Sequence, residues 1–205
     1  MTIDFQKEGR PLSHTWSNCV GAGRWVFTDV FEEIGAGPKA FHGGFGMLTL
    51  QGVKKPVFHA YRILNGLGKE ELCRGEGYIF TRKNQRLAGA FYNYPETYTG
   101  TVPMSVYPDQ TAARECQNSG EKRPFDFTIT GLRPGDTYLL RILRSKDIAV
   151  GLWNRMEAPV SPTREQTEHL RRQGEVMEEI PVKAENSGSL HLSFLLDPWS
   201  IAEIG

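Results

Sequence analysis

The residues best suited to chemistry lie in two neighbouring segments in the first quarter of the chain. The first segment, residues 25–33, combines acidic and aromatic side chains: Trp25, Phe27, Asp29, Phe31, Glu32 and Glu33. The second segment, residues 41–46, reads Phe-His-Gly-Gly-Phe-Gly. Paired carboxylates can serve as acid, base or nucleophile at a glycosidic bond. Aromatic rings can stack on sugar rings while carboxylates accept the hydroxyl protons of the sugar. These residue types are therefore compatible with a saccharide site.

The same residues also have a purely structural explanation. Asp29 can cap a backbone turn, Glu32 and Glu33 can lie in solvent, and the glycines can simply shape a loop. Because carboxylates mark functional sites only statistically, the residue types alone favour this structural explanation.

Three consecutive elements are predicted to carry these segments. Residues 24–31 are β-branched or aromatic at most positions, which is typical of a strand buried on both faces. Residues 35–46 are rich in glycine and form a loop. A helix is predicted over 56–66, with Pro56 at its first position and Gly66 just past its end. The carboxylates then lie at the carboxyl end of a strand in a β/α unit, which is where barrel enzymes place their sites.

The pattern changes near residues 68–76. Apolar residues alternate with polar ones in five later runs, which predicts half-buried antiparallel strands over 77–82, 86–94, 124–130, 137–144 and 189–196. Pro134 and Gly135 suit the centre of a type II turn, which is common in immunoglobulin-like sandwiches. A polar helix is predicted over 163–173, because Thr163 and Gln166 have the spacing of a capping box and Gly174 can end it. The organisation is therefore an unassigned segment 1–20, a β/α unit over 21–70 and a β-sandwich over 71–205.

Bulk composition excludes several classes of protein. The chain has 205 residues, 24 basic and 24 acidic, so its net charge is zero and we expect no nucleic-acid partner. The three cysteines are far apart, and His14, His169 and His191 lack the spacing of metal ligands, so we expect no metal and no cofactor. No signal peptide or membrane span is indicated, and a cytoplasmic location is expected.

The segments around the acidic residues resemble those of family 39 glycoside hydrolases, the β-xylosidases. The family's eighth barrel strand reads much like Tyr-Trp-Thr-Phe-Ser-Asp-Val-Phe-Glu-Glu and is followed by Pro-Phe-His-Gly-Gly-Phe-Gly and a Lys-Lys-Pro helix. The matching residues here are Trp25, Phe27, Asp29 to Glu33, Phe41 to Gly46 and Lys54 to Pro56. The stretch from Leu152 to Met156, with Pro159, Pro162, Thr163 and Leu170, resembles a segment of the family's sandwich. The resemblance covers roughly residues 20–205.

The resemblance implies a mainly β fold: an antiparallel, immunoglobulin-like β-sandwich preceded by the last β/α unit of a TIM barrel. It also implies that Glu32, Glu33, His42 and Phe45 contact substrate, together with Trp25 and Asp29 on the same strand, and it gives none of them a catalytic role. Trp153 and Trp199 are expected to pack in the sandwich rather than to form a sugar platform. His59 is expected at the surface.

The sequence departs from the family where catalysis is concerned. The family's acid/base glutamate follows an asparagine, and its nucleophile lies in a Thr-Glu-Trp-Asn context; neither motif occurs here. Arg24 replaces the family's tyrosine, and Asp147 to Gly151 stand where a His-x-x-Asn pair is frequent. The resemblance thus implies the C-terminal part of a glycosidase, without most of the barrel and inactive by itself.

Four functions stay open from the sequence. They are a truncated glycosidase, a carbohydrate-binding module for xylose-type saccharides, one half of a split enzyme, and an independent enzyme that pairs Asp29 with Glu32 or Glu33. Strand 24–31 lacks at least one barrel neighbour, so its open edge and apolar faces predict a partner. That partner would be a second copy, the missing barrel half, or residues 1–20 folded back as a substitute strand.

Overall fold

The computed structural model describes residues 1–13, 27–29, 40–41, 46–95 and 119–205. Within these ranges the strands, in chain order β1 to β10, are Thr2–Asp4, Arg10–Pro11, Glu70–Gly75, Tyr78–Lys83, Arg86–Asn93, Arg123–Thr130, Thr137–Arg144, Glu178–Lys183, Leu190–Leu196 and Ser200–Ile204. The helices, in chain order α1 to α3, are Pro56–Gly66, Ala149–Arg155 and Arg164–Gln173. The chain is mainly β, as predicted.

The described strands form two sheets. The smaller sheet has the order β1-β6-β9, and the larger sheet has the order β2-β3-β4-β5-β10-β7-β8. The neighbouring strands are antiparallel except β1 and β6, which run parallel from Thr2 opposite Thr128 to Asp4 opposite Thr130. That parallel pair involves the N-terminal residues that the sequence left unassigned, and the pairs among the predicted sandwich strands are antiparallel.

The two sheets share one hydrophobic core. On β6, the side chains of Phe125, Phe127 and Ile129 are buried, as their alternating spacing predicts. The ring of Phe127 lies 5.0 Å from that of Phe80 on the larger sheet, with edge-to-face geometry. Such aromatic contacts add roughly 0.5–1.5 kcal/mol beyond the burial of apolar area. The sheets therefore stabilise each other through aromatic side chains from both faces.

The predicted type II turn joins the two sheets. Gly135 has φ of +81°, a value that favours glycine at the second central position. The backbone N–H of Asp136 donates to the carbonyl of Arg133 at 3.2 Å and closes the turn. The strands on either side, β6 and β7, lie in different sheets, so the turn acts as a crossover between layers.

Residues 1–13, which the sequence left unassigned, belong to both sheets. Ile3 and Phe5 are buried in the shared core. Strand β2 pairs with β3 through Arg10 opposite Glu71, and the backbone N–H of Leu12 donates to the carbonyl of Lys69 at 2.7 Å. Leu12 and Lys69, which flank the intervening residues 13–68, are therefore neighbours at the edge of the larger sheet.

Helix α1 lies on the face of the larger sheet that points away from the shared core. Its residue Ile63 and the following Leu67 pack against Ala90 of β5, with Ile79 and Ile201 nearby. Pro56 begins the helix as predicted, whereas Gly66 is its last residue rather than the residue beyond it. The α1 residues are thus held by an apolar contact with the sheet.

Helix α3 was predicted from its capping residues, and the structure confirms them. The Thr163 hydroxyl accepts from the backbone N–H of Gln166, while the Gln166 side chain accepts from the backbone N–H of Thr163. Gly174 is the C-terminal cap. Helix α2, which was not predicted, packs beside α3 with Trp153 and Leu170 in a second apolar cluster.

Candidate functional site

Most of the predicted substrate-contact residues lie outside the residues that the structure describes. This holds for Trp25, Glu32, Glu33, His42 and Phe45. Asp29 is described, as are the neighbouring residues 27–28, 40–41 and 46–55. The described part of the site therefore consists of the residues on either side of the predicted substrate contacts.

Residues 27–29 pair with the segment that follows the glycine-rich loop. The N–H of Leu48 donates to the carbonyl of Phe27 at 3.0 Å, and the N–H of Asp29 donates to the carbonyl of Leu48 at 3.0 Å. Thr28 and Leu48 form a parallel bridge. Thus the two segments that carry the acidic and aromatic residues are joined directly at their described ends.

Asp29 forms a buried ion pair with Lys55. The two carboxylate oxygens lie 2.9 and 2.8 Å from the Lys55 ammonium nitrogen. One of these oxygens also accepts the backbone N–H of Gly46 at 2.7 Å. The side chains are almost fully buried, so the low dielectric strengthens their attraction while each charge has lost its hydration. These contacts match the structural explanation for Asp29; its substrate-contact role stays a prediction.

Gly46 is required by this arrangement. A Cβ atom added to Gly46 would lie 2.5 Å from the backbone nitrogen of Asp29 and 2.5 Å from the carbonyl carbon of Thr28. No side chain fits at these distances, so the loop end approaches the 28–29 backbone only with glycine at this position.

Helices α2 and α3 contact described residues within and after the glycine-rich loop, at 40–41 and 51–53. The ring of Phe41 lies 5.4 Å from that of Trp153 on α2. On α3, Arg171 donates through its Nε to the carbonyl of Gln51 at 3.0 Å, and buried Leu170 belongs to the same cluster as Val53. Trp153 is 4% exposed and donates to the carbonyl of Pro159 at 3.1 Å. It packs in the cluster of α2 and α3 rather than in the sandwich core where the sequence placed it.

His59 is buried, so the expectation of a surface position was wrong. It is 1% exposed and lies four residues before Ile63, the other buried residue of α1. Burial lowers the pKa of His59 from 6.5 to about 4, and the positive charges of Arg62 and Lys54 act in the same direction. The imidazole is therefore neutral near pH 7.

The described residues show no group of three or more His, Cys, Asp or Glu side chains that could hold a metal ion. In the same part of the chain, no helix is both long and apolar enough to cross a membrane.

The fold and the segments of this site belong to a known family of glycosidases. The family model for Glycosyl hydrolases family 39 matches residues 22–191, well over half of the chain. This match spans the acidic segment, the glycine-rich loop, α1 and most of the sandwich strands. The chain belongs to glycosyl hydrolase family 39.

Individual relatives cover shorter stretches of sequence. A beta-xylosidase from Geobacillus stearothermophilus is 44% identical over 70 residues, which are 34% of this chain and 14% of that protein. A beta-xylosidase from Caldicellulosiruptor saccharolyticus is 48% identical over 48 residues, which are 23% of this chain and 10% of that protein. This chain thus aligns with a small share of either enzyme.

Solved structures of family members match most of this chain. The GH39 enzyme from Xanthomonas axonopodis pv. citri gives a TM-score of 0.65 at 20% identity, covering 87% of this chain and 35% of that one. A monomeric beta-xylosidase from Caulobacter crescentus CB15 gives 0.63 at 25% identity, covering 88% and 36%. The chain therefore spans about a third of the length of these solved relatives.

Proposed function

We propose that this chain is a β-xylosidase relative that binds xylose-type saccharides and does not hydrolyse them by itself. The observation that carries the proposal is the family match over residues 22–191, which includes the acidic and aromatic segment. The relatives named beta-xylosidase supply the expected sugar class.

The lack of hydrolysis follows from the carboxylates that the chain offers. A retaining glycosidase needs two carboxyl groups about 5–5.5 Å apart across the bond. The sequence contains neither an Asn-Glu pair nor a Thr-Glu-Trp-Asn motif. Asp29, the carboxylate that an independent mechanism would use, is held by Lys55 and Gly46. This contact argues against an independent enzyme built on Asp29.

We assign saccharide contacts to Trp25, Glu32 and Glu33 of the first segment and to His42 and Phe45 of the second. The described neighbours support a fixed position for the ends of these segments. Phe41 packs on Trp153, and the residues after the loop pair with residues 27–29.

Two measurements on the purified chain test this function. Release of nitrophenol from an aryl β-xyloside should stay at background, and titration calorimetry should detect binding of xylobiose or xylotriose. Glu32→Gln and Glu33→Gln should weaken binding, whereas the control Glu185→Gln, on the exposed surface of the sandwich, should not. Hydrolysis that disappears in Glu32→Gln or Glu33→Gln would disprove the inactive assignment, and absence of any saccharide binding would disprove the binding function.

A split glycosidase is the second candidate function. The chain spans about a third of its solved relatives, and the Phe27 side chain is 61% exposed. An exposed ring beside the bridge at Thr28 would suit a complementary barrel half. Sedimentation of the chain alone and mixed with a separately expressed barrel half from a family 39 enzyme distinguishes a monomer, a homodimer and a completed enzyme. Activity that appears only in the mixture would establish the split enzyme.

A further inference from the structure

An aromatic cavity of about 400 Å³ lies between the start of α1 and the outer face of the larger sheet. Its wall includes Pro56 and Val57 from the helix, Tyr92 and Tyr94 at the end of β5, and Ser145 and Trp199 beside β7 and β10. The volume falls in the range of small-molecule sites, ~300–1,000 Å³. Because α1 begins directly after Lys55, the cavity adjoins the segment that binds Asp29.

Trp199 is held in a backbone conformation that a large side chain rarely adopts. Its φ is +57°, where Gly or Asn is ordinarily found and a bulky residue is strained. Its N–H donates to the carbonyl of Asn93 at 2.8 Å, and its carbonyl accepts from the N–H of Ser145 at 3.3 Å. Strained residues that are fixed by their surroundings cluster at binding sites. The indole is thus presented to the cavity at an energetic cost.

Tyr94 completes an aromatic corner with Trp199. The two ring centroids are 4.8 Å apart and the planes meet at 79°, so each ring stabilises the other edge to face. Tyr92 and Tyr94 are 50% and 44% exposed. The corner therefore offers rigid apolar faces to a ligand that enters from solvent.

The polar side chains around the cavity are uncharged. They are the hydroxyls of Tyr92, Tyr94, Ser145 and Ser200 and the amide of Asn93, which donates to the carbonyls of Glu121 and Leu196. The nearby cations Arg144 and Lys146 each lie 3.0 Å from the Asp197 carboxylate, so their charge is already balanced by a protein group. Aromatic faces with neutral hydroxyl partners match a sugar ring, which presents C–H groups on its faces and hydroxyls at its rim. They do not match an anion.

We propose that this cavity is a saccharide subsite that takes one neutral pyranose or furanose unit against Trp199 and Tyr94, which differs from the sequence expectation that Trp199 packs in the sandwich. This inference takes the class of sugar, a xylose-type saccharide, from the proposed function. It adds a second binding position, on the outer face of the larger sheet. A xylo-oligosaccharide of two or three units is the probe, because its end unit can occupy the aromatic corner.

The test compares variants by titration calorimetry with xylotriose. Trp199→Gly removes the ring while glycine suits the φ of +57°, so the fold should be retained. Trp199→Gly and Tyr94→Ala should each weaken xylotriose binding at least tenfold. Tyr61→Ala, a partly buried tyrosine that does not line the cavity, is the matched control and should change affinity less than twofold. Circular dichroism verifies that all three variants are folded.

The outcomes separate this inference from the proposed function. Binding that survives in Trp199→Gly and Tyr94→Ala but is lost in Glu32→Gln or Glu33→Gln overturns the aromatic subsite and leaves the proposed function intact. No xylotriose binding by the wild-type chain overturns both. A loss of binding in the cavity variants with an unchanged Tyr61→Ala control supports the subsite.

Discussion

The ion pair between Asp29 and Lys55 is the residue contact whose loss should cost the most stability near the site. Lys55→Met leaves the carboxylate of Asp29 buried without its cation. Breaking a buried pair by removing one partner costs about 3–5 kcal/mol. We expect the free energy of unfolding, measured in urea, to fall by about this amount.

A double variant distinguishes the ion pair from simple loss of packing. Asp29→Asn combined with Lys55→Met removes both charges and should recover most of the stability, since Asn can still accept from Gly46. The exposed pair between Glu168 and Arg171 is the control; Glu168→Gln should change stability by about 0–1 kcal/mol. A cost of Lys55→Met no larger than that of Glu168→Gln contradicts a stabilising ion pair between Asp29 and Lys55.

His59 should make the fold sensitive to acid. Its pKa is about 4 in the fold and 6.5 in the unfolded chain, so the unfolded state binds the proton first as the pH falls. The stability is fully present above about pH 6.5. It should then decrease down to about pH 4, by at most about 1.4 kcal/mol per pH unit.

Urea unfolding at pH 7, 6, 5 and 4.5 measures this dependence. His59→Leu should flatten the decrease between pH 6.5 and 4.5. His169→Gln, at an exposed position of α3, should leave it unchanged. Parallel curves for wild type and His59→Leu would show that another group governs the acid response.

At the scale of elements, the capping box of α3 should stabilise the helix that holds residues 51–53. Thr163→Ala removes the acceptor for the N–H of Gln166. Loss of such a cap costs roughly 1 kcal/mol. Thermal and urea unfolding should show this decrease, and Thr163→Ser should retain most of the stability because it keeps the hydroxyl. Equal stability of the Ala and Ser variants would exclude a contribution from the cap.

The sequence predicted elements wherever one face was uniformly apolar. Strand β6 alternates Phe125, Phe127 and Ile129, and its position was predicted within a residue. Strand β3 was missed because its buried and exposed residues barely alternate. Strand β8 was missed because only two of its residues, Ile180 and Val182, turn towards the core. Strand β10 has only five residues and follows a Pro-Trp turn, so its pairing between β5 and β7 depends on the fold rather than on its own pattern.

The site was less predictable because its contacts join distant residues. Asp29 was expected to contact substrate or to cap a turn, but its partner Lys55 is 26 residues away and no local spacing relates them. His59 was expected at the surface because the surroundings that bury it come from other parts of the chain. The local sequence pattern indicates which residues share a face. Which of these faces is covered by another element can be seen only in the tertiary structure.

At the scale of the whole molecule, the two sheets should fold without residues 13–68. The Leu12 and Lys69 backbones are hydrogen bonded, so a short Gly-Ser linker can replace the intervening residues without moving β2 or β3. The shortened chain exposes Ala90, Ile79 and Ile201, which α1 otherwise covers. We expect a cooperative thermal transition at a lower Tm, with β-type circular dichroism.

The first residues of the chain provide the control for this shortened protein. Phe5 is buried in the core shared by both sheets. Phe5→Ala should cost about 3–5 kcal/mol in the shortened and the complete chain alike. A shortened protein without a cooperative transition would show that residues 13–68 are needed for the sandwich to fold.

The hydrogen bond between Leu12 and Lys69 has a consequence for how genes of this kind can change. For the sandwich, the residues between Leu12 and Lys69 count as one loop, because this hydrogen bond joins the two ends of the loop. The entropy of closing a loop grows only with the logarithm of its length, so each doubling costs about 0.6 kcal/mol. Duplication or replacement of coding sequence at this junction therefore adds little closure cost to the frame, provided that the insert still covers Ala90, Ile79 and Ile201. Selection at that position acts on what the inserted segment does, because the frame tolerates inserts of very different size.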